Sequence, residues 1–187
     1  FGASLDKIKQ VVKPRPGEIM FGLNLVVYKG KTIFVGDTSV HEYPSAEQLA
    51  EISISAARVV RLFGFDPKVA FVSHSTFGQP ITNRTKHIKD AVEILKNKNV
   101  NFEFDGDMQP DVALNEEYKS LYPFSKIVGN ANILIMPGQH SAAISYKMMK
   151  TLGDTKVIGP LLIGLGLPIE IAPLRSSTSE ILNLASI

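Results

Sequence analysis

Residues 68–104 read KVAFVSHSTFGQPITNRTKHIKDAVEILKNKNVNFEF, and this segment contains one complete strand–helix–strand unit. Its first five residues form a short apolar run that predicts a buried strand over 68–72, and a polar loop follows to about residue 85. Apolar side chains then recur at helical spacing: Ile88, Val92 and Leu95. The segment ends on a second β-prone run, 101–104. This alternation of strand and helix is typical of α/β proteins with a mostly parallel sheet.

Upstream of this unit, the sequence predicts a hairpin between two helices. Residues 19–28 are apolar and β-prone, the sequence Lys-Gly-Lys at 29–31 turns the chain, and a second strand follows over 32–35. The clearest helix of the chain is predicted over 45–63, and a short amphipathic helix over 4–13. The hairpin predicts that this part of the sheet is antiparallel.

Downstream of residue 104, helices and strands continue to alternate. Helices are predicted over 111–121, 141–152 and 177–187, and strands over 133–136, 157–163 and 169–171. Capping boxes mark two helix starts, at Ser45 with Gln48 and at Ser177 with Glu180. One side of the helix over 141–152 is apolar: Ile144, Met148 and Leu152. The whole pattern predicts a three-layer α/β sandwich with a mixed, mostly parallel sheet.

The composition excludes several classes of protein. Hydrophobic residues make up 44% and charged residues 20% of the 187 positions, which is ordinary for a folded domain and argues against disorder. The chain has no cysteine, so disulfides, thiolate metal sites and a cysteine nucleophile are excluded. The net charge of +2 is spread along the chain, which disfavours nucleic acid as a partner.

The N-terminus, the apolar runs and the lack of cysteine lead to expectations about membrane association and cellular location. The apolar run over 157–171 is interrupted by glycines and prolines, so no membrane-spanning helix is predicted and no membrane partner is expected. The chain starts at Phe1 without a methionine or a signal peptide, and we expect it to be part of a longer protein. The lack of cysteine fits a reducing compartment, and we expect a cytoplasmic protein.

Three motifs suggest a ligand, but each has a simpler structural interpretation. Gly30-Lys31-Thr32 resembles the end of a phosphate-binding loop, yet it falls in the predicted hairpin turn. The glycines at 164 and 166 make up only half of a dinucleotide fingerprint. Three carboxylates could hold a divalent cation: Asp105, Asp107 and Asp111. The favoured interpretation is that Asp111 caps a helix and the other two lie in a solvated turn, so no metal site is predicted.

Candidate ligand residues follow the predicted strands, because ligand sites in open α/β sheets lie at the carboxyl ends of strands. His74 follows the first strand of the unit, and His140 follows the strand over 133–136. Ser75 beside His74 lacks the strand–turn–helix elbow of a nucleophile, and no third partner can be named for the pair. Arg175 lies just before the last helix, where backbone N–H groups and serine hydroxyls make an anion site plausible in addition to plain capping.

Three segments resemble signatures of the phosphate acetyl/butyryltransferase family: DGDMQPDVAL at 105–114, GNANILIMP at 129–137 and IGPLLIG at 158–164. Their order and spacing match as well, and the resemblance covers essentially the whole chain as the C-terminal part of a longer family unit. It implies a phosphate acetyltransferase-like fold, of the isocitrate and isopropylmalate dehydrogenase type. The main lobe would span about 18–165, and 1–17 and 166–187 would belong to, or pack on, a second lobe.

Further segments are similar to the acetyltransferase-like tail of large bacterial NADP-dependent malic enzymes: DTSVHE at 37–42, DVALN at 111–115, YPF at 122–124 and PGQHS at 137–141. In such hybrids an N-terminal malic enzyme portion carries out the redox chemistry, with NADP and a divalent metal. Neither site is expected in these 187 residues. The resemblance implies that the tail binds acetyl-CoA, or a related acyl-CoA, as a metabolic signal, contacts the malic enzyme catalytic domain and forms a homo-oligomer, a dimer or higher.

The chain departs from active transferases at the positions that matter most. Those enzymes carry a Ser-Arg-Gly pattern six residues before an acidic residue of the last helix. Here the acidic position falls on Glu180, the arginine position on Leu174 and the serine position on Pro173, while Arg175 is one residue late. Ala143 stands where the family usually has asparagine. Acetyl transfer needs a cation for phosphate and a general base, so we expect catalysis to be lost and the ligand cleft to be retained.

The resemblance places acetyl-CoA in a cleft between the loop after the first strand, the start of the helix over 141–152, and the loop before the last helix. The expected ligand-binding residues are Ser73, His74, Ser75, Thr76, Gly78, His140, Ser141, Ser176 and Ser177. Arg175 and Glu180 would be catalytic only in an active phosphate acetyltransferase. That activity, and a purely structural oligomerisation module, are the alternatives to a regulatory domain.

Overall fold

The computed structural model describes residues 2–187, apart from the side chain of Arg84. In chain order the elements are α1 (Gly2–Val11), β1 (Phe21–Tyr28), β2 (Lys31–Gly36), α2 (Ala46–Leu62), β3 (Lys68–Val72), α3 (Asn83–Lys98), β4 (Glu103–Met108), α4 (Pro110–Leu114), α5 (Glu116–Lys119), β5 (Ile133–Ile135), α6 (Gln139–Leu152), β6 (Thr155–Ile163) and α7 (Thr178–Ala185). Within this part of the chain, no helix has the length and apolar character that a bilayer-spanning segment requires.

The six strands form one mixed sheet in the order β4-β3-β5-β2-β1-β6. Strands β4, β3, β5 and β2 are parallel to one another. Strand β1 is antiparallel to both of its neighbours, so β6 runs in the same direction as the other four. The predicted hairpin is confirmed, since Tyr28 pairs with Lys31 across the β1–β2 turn.

Helices cover both faces of the sheet, which confirms the predicted three-layer sandwich. On one face, α2 and α3 pack over a core that contains the largest fully buried aromatic side chains: Phe21, Phe34 and Phe71. Full burial of one such side chain contributes about 2–3 kcal/mol to stability. On the other face, α4 and α6 pack over Val26, Val35 and their neighbours.

The predicted capping boxes are both present. In α2, Gln48 N donates to Ser45 Oγ (3.1 Å) and Ser45 N donates to Gln48 Oε1 (2.7 Å). In α7, Glu180 N donates to Ser177 Oγ (3.2 Å) and Ser177 N donates to Glu180 Oε2 (2.8 Å). These reciprocal bonds satisfy backbone donors that the first turn of a helix leaves unpaired, so they stabilise the starts of α2 and α7.

A third, smaller apolar cluster joins the two ends of the chain. Its buried members are Leu5, Val12, Met20, Leu162 and Leu165, and Ile169 and Ile171 pack against it. Backbone bonds from Arg15 N to Gly164 O (2.9 Å) and from Gly166 N to Lys13 O (3.1 Å) hold the segments together. This cluster anchors the chain after β6 and sets the course of the loop that leads to α7.

Several predicted boundaries were wrong. The strand predicted over 101–104 is β4, which begins at Glu103 and continues through a polar Asp-Gly-Asp sequence to Met108. The predicted helix over 111–121 is divided at Asn115 into α4 and α5. The strand predicted over 169–171 has no strand partner among residues 2–187, because its isoleucines pack into the third cluster instead.

Helix α6 lies close to its predicted position but faces the other way. Ile144, Met148 and Leu152 are exposed, with relative accessibilities of 54%, 55% and 81%. Ala142 is the buried residue of α6, and Tyr146 and Met149 pack beside it against the sheet. The helix therefore carries apolar residues at helical spacing on two opposite sides, and the side with smaller and aromatic residues faces the core.

Candidate functional site

Four parallel strands end at the same edge of the sheet, and their loops form a continuous rim. Strands β4, β3, β5 and β2 lie side by side, so the segments 73–79 and 107–109 are neighbours, as are 136–141 and 37–41. Hydrogen bonds connect each pair: Ser73 N donates to Met108 O (2.9 Å), and Gln139 N donates to His41 O (3.0 Å). This is the edge at which ligands bind in open α/β sheets.

A buried carboxylate organises the loop after β2. Asp37 Oδ1 accepts hydrogen bonds from the N–H groups of Gly22 (2.9 Å), Ser39 (2.8 Å) and Val40 (3.1 Å). Asp37 Oδ2 contacts His41 N and His41 Nδ1, both at 2.7 Å. These bonds fix residues 38 and 39, which line the larger cavity described below.

A second buried carboxylate organises the loop after β3. Asp107 accepts hydrogen bonds from Ser75 Oγ and from Gly78 N (3.0 Å). Thr76 Oγ1 accepts from Gln109 N (3.2 Å), and Gln109 Nε2 donates to His74 O (2.7 Å). Ser75 is fully buried, so its hydroxyl holds the loop in place and is not presented to solvent.

The aspartates near β4 stabilise backbone and loops. Asp105 accepts from Gly106 N (3.0 Å) and Lys126 N (2.8 Å), and together with Asp107 it is buried within β4. Asp111 lies in the first turn of α4, where its side chain accepts from Val112 N (2.9 Å), and Gln109 takes the capping position. The expected solvated turn and the expected cap at Asp111 were therefore wrong. Among the described residues, no group of three His, Asp or Glu side chains is placed to hold a metal ion.

A cleft lies between α6, β6 and the loop before α7; we call it the α6–α7 cleft. It has two adjoining parts, with volumes of about 260 Å³ and about 550 Å³. Both parts are lined by Tyr146, Lys147, Pro160, Pro173 and Arg175.

The two parts of the cleft differ in their remaining lining residues. The smaller part adds Lys150, Ser176, Glu180 and Asn183 among its lining residues. The larger part reaches the rim and adds Ser4, Thr38, Ser39, Gln139, Ala143 and Leu174. Volumes and linings of this kind suit a ligand with both charged and apolar portions.

Three cations and one carboxylate give the cleft its charge. Lys147, Lys150 and Arg175 line it, and the Arg175 guanidinium makes no ion pair or hydrogen bond with the described residues. Lys150 Nζ lies 2.6 Å from Glu180 Oε1. The hydrogen bond from Lys150, together with those from Ser177 N and Oγ, lowers the pKa of Glu180 to about 2. The cleft therefore carries an excess of positive charge, which favours anionic groups.

The structure brings together some of the residues expected to bind a ligand. Arg175, Ser176 and Glu180 line the smaller part of the cleft. Ser177 caps α7, with its Oγ bonded to the Glu180 backbone and side chain.

The other expected residues lie along the rim, outside the lining of the cleft. On α6, His140 is exposed and Ser141 Oγ donates to Gly138 O (2.8 Å), while neighbouring Gln139 lines the cleft. The loop after β3 contributes no lining residue, and its members lie further along the rim: Ser73, His74, Ser75, Thr76 and Gly78.

Sequence reasoning missed most of the cleft wall. Lys147 and Lys150 are three residues apart on α6, which places them on one side of the helix. That spacing was visible in the sequence, but only the packing of α7 beside β6 shows that they face Arg175. Thr38 and Ser39 were quoted as part of a family resemblance, without a role in ligand binding.

Comparison with known proteins gives the family. A family model described as Phosphate acetyl/butaryl transferase matches residues 2–187. The NADP-dependent malic enzyme of Rhizobium meliloti (strain 1021) is 41% identical over 187 residues, which is 100% of this chain and 25% of that protein. The phosphate acetyltransferase of Bacillus subtilis (strain 168) is 31% identical over 180 residues, 95% of this chain and 56% of that protein.

A solved structure agrees with these relatives. The phosphotransacetylase from Streptococcus pyogenes superposes with a TM-score of 0.90 at 31% identity, covering 97% of this chain and 56% of that one. The chain spans about a quarter of the length of the malic enzymes it matches. It belongs to the phosphate acetyl/butaryl transferase family and resembles the phosphate acetyltransferase-like part of malic enzymes.

Proposed function

We propose that this chain is a regulatory module that binds acetyl-CoA in the α6–α7 cleft and no longer transfers acetyl groups. In its parent protein, a separate malic enzyme portion would oxidise and decarboxylate malate to pyruvate with NADP and a divalent metal. The observation that carries the proposal is the charge of the cleft, which is lined by three cations while its one acidic group is already bonded to Lys150 and Ser177.

The cations suit the phosphates of coenzyme A. Lys147, Lys150 and Arg175 offer ammonium and guanidinium donors, and charge-assisted hydrogen bonds to phosphate are among the strongest in proteins. The larger part of the cleft extends from Arg175 to the rim, past Ala143 and Thr38. This course would carry the pantetheine arm towards the loops that follow β2 and β5.

The acidic position of the family does not offer a general base here. A base works best when its pKa lies near the operating pH, whereas the pKa of Glu180 is about 2. Both Glu180 carboxylate oxygens are engaged, one with Lys150 and the other with Ser177. Each of these bonds stabilises the ionised carboxylate, so all of them oppose the transfer of a proton from a thiol to Glu180.

Two neighbouring positions weaken transfer further. Leu174, at the family's arginine position, is fully exposed at 106% relative accessibility and supplies no charge. Ala143, where the family usually has asparagine, lines the cleft with a methyl group. A tetrahedral oxyanion in this cleft would therefore lack donors that an active transferase supplies.

The same proposal includes assembly. We infer a main lobe of about 18–165 and a second lobe to which 1–17 and 166–187 belong, or on which they pack; the third apolar cluster holds α1 and residues 169–171 together against the main lobe. Acetyl-CoA bound between the lobes would regulate the malic enzyme portion only if it binds two conformations with different affinity. A homo-oligomer in the cytoplasm would place several such sites in one assembly.

The proposal is tested by calorimetric titration of the chain with acetyl-CoA, with phosphate-dependent formation of acetyl phosphate assayed on the same sample. Saturable binding without turnover is the expected result. Turnover would identify an active phosphate acetyltransferase, with Arg175 replacing the arginine missing at 174. Absence of binding would leave a purely structural oligomerisation module.

A further inference from the structure

One ion pair links α6 to α7 on the wall of the α6–α7 cleft. Lys150 on α6 and Glu180 on α7 are 30 positions apart in the chain, and their charged atoms lie 2.6 Å from each other on the wall of the smaller cavity. This pair therefore joins the two helices in the part of the cleft that Lys147 and Arg175 also line.

The two partners are held differently. Glu180 is fixed from behind, because its Oε2 accepts from Ser177 N (2.8 Å) and Ser177 Oγ (3.1 Å) as part of the α7 capping box. Lys150 has Glu180 as its only hydrogen-bonded partner among the described residues. Its flexible side chain can therefore exchange one anion for another, while the carboxylate remains in place.

We propose that Glu180 acts as an internal competitor of the ligand, whose carboxylate holds Lys150 until a diphosphate group entering the cleft takes its place. This inference rests on the proposed function, and it assigns the acidic residue of the family a new role in this chain. The carboxylate lowers the affinity of the site for phosphate esters in two ways. It pairs with Lys150, one of the three cations, and its negative charge repels the incoming anion.

The position of Glu180 also determines which ligands it opposes. Glu180 lies in the smaller part of the cleft with Lys150, whereas Lys147 and Arg175 line both parts. On this proposal, a single phosphate is held by Lys147 and Arg175, and the ion pair stays intact. A diphosphate, with its greater charge and length, also takes Lys150, so the penalty falls mainly on ligands of the diphosphate class.

The test compares inorganic pyrophosphate binding to the wild-type chain and to Glu180→Gln by calorimetry at fixed ionic strength. Glutamine can still accept from Ser177 N, so the capping box survives while the charge is removed. We expect Glu180→Gln to lower the Kd for pyrophosphate about 10- to 25-fold: about fivefold from removing one unit charge a few ångströms away in a water-like dielectric, and about two- to fivefold because the exposed ion pair no longer has to break. Glu51→Gln is the matched control, because it breaks another ion pair between helices, with Lys98, outside the cleft.

A second background separates competition from a general change in charge. In Lys150→Gln, the substitution Glu180→Gln should tighten pyrophosphate binding about fivefold or less, because only the repulsion by the carboxylate remains to be removed. Equal tightening in both backgrounds, no tightening in either, or no pyrophosphate binding to any of these chains would each overturn the proposal.

Acetyl-CoA titrations of the same variants keep this inference separate from the proposed function. Failure of the wild-type chain to bind acetyl-CoA would contradict the proposed function, while the pyrophosphate comparison still measures the competition. Binding of acetyl-CoA with no difference between wild type and Glu180→Gln would contradict only the role of Glu180.

Discussion

The substitution Asp37→Asn removes one charge from the most heavily hydrogen-bonded carboxylate of the rim. Asp37 is fully buried and accepts from the N–H groups of Gly22, Ser39, Val40 and His41, and it also contacts His41 Nδ1. Asparagine has almost the same shape, so the substitution creates no cavity. It changes only the charge and replaces one acceptor with a donor.

The expected cost follows from those bonds. The amide oxygen of asparagine can keep the three bonds made by Oδ1, but each becomes a neutral bond and weakens by about 1 kcal/mol. The amide NH2 then faces the N–H group of His41, which loses its acceptor at a cost of about 1–3 kcal/mol. These effects are not strictly additive, and a loss of about 3–5 kcal/mol in the free energy of unfolding is expected.

Urea denaturation at neutral pH measures this loss directly. The matched control is Asp154→Asn, an exposed aspartate with no side-chain hydrogen bond to the described residues, which should stay within about 0.5 kcal/mol of wild type. Asp37→Asn should also weaken acetyl-CoA binding, because Thr38 and Ser39 line the cleft. A change in unfolding free energy below 1 kcal/mol would refute the assignment of Asp37 as the residue that holds this loop.

Three further substitutions test other parts of the structure. Gly22→Ala would place a Cβ 2.5 Å from Ser39 Oγ, so we expect a loss of about 1–3 kcal/mol in urea denaturation, and an unchanged midpoint would count against this packing. Burial lowers the pKa of Lys119, and its Nζ has no hydrogen-bond partner among the described residues. Lys119→Met should therefore raise the free energy of unfolding by about 1–2 kcal/mol, whereas a decrease of that size would mean that the ammonium group makes a favourable contact. Lys147→Ala should weaken acetyl-CoA binding about three- to tenfold in calorimetry with little change in stability, and unchanged affinity would remove Lys147 from the site.

Contacts between residues within one helical turn could be predicted from the sequence, whereas the orientation of a helix could not. The α7 cap was predictable because Ser177 and Glu180 bond to each other within one turn, so spacing alone specifies the contact. Helix α6 was predictable as a helix, but not in its orientation. Apolar residues recur every three or four positions on two opposite sides, and periodicity gives no preference between the Ile144 side and the Ala142 side.

The candidate site was less predictable because it depends on distant parts of the chain. Lys150 and Glu180 meet only because α6 and α7 pack on either side of β6, and no local pattern records that contact. Strand β4 was placed too early for a related reason. Its aspartates are buried in a strand that looks polar, and their hydrogen-bond partners come from loops elsewhere, such as Ser75 and Lys126.

The most direct test of the account is the effect of Arg175→Ala on acetyl-CoA binding, measured by calorimetry beside an assay for acetyl phosphate. Arg61→Ala, which removes an arginine from α2 outside the cleft, is the matched control. We predict that the wild-type chain and Arg61→Ala bind acetyl-CoA alike, that Arg175→Ala weakens binding at least tenfold, and that none of the three forms acetyl phosphate. Acetyl phosphate formation by the wild-type chain, or equal affinity of Arg175→Ala and wild type, would contradict the account.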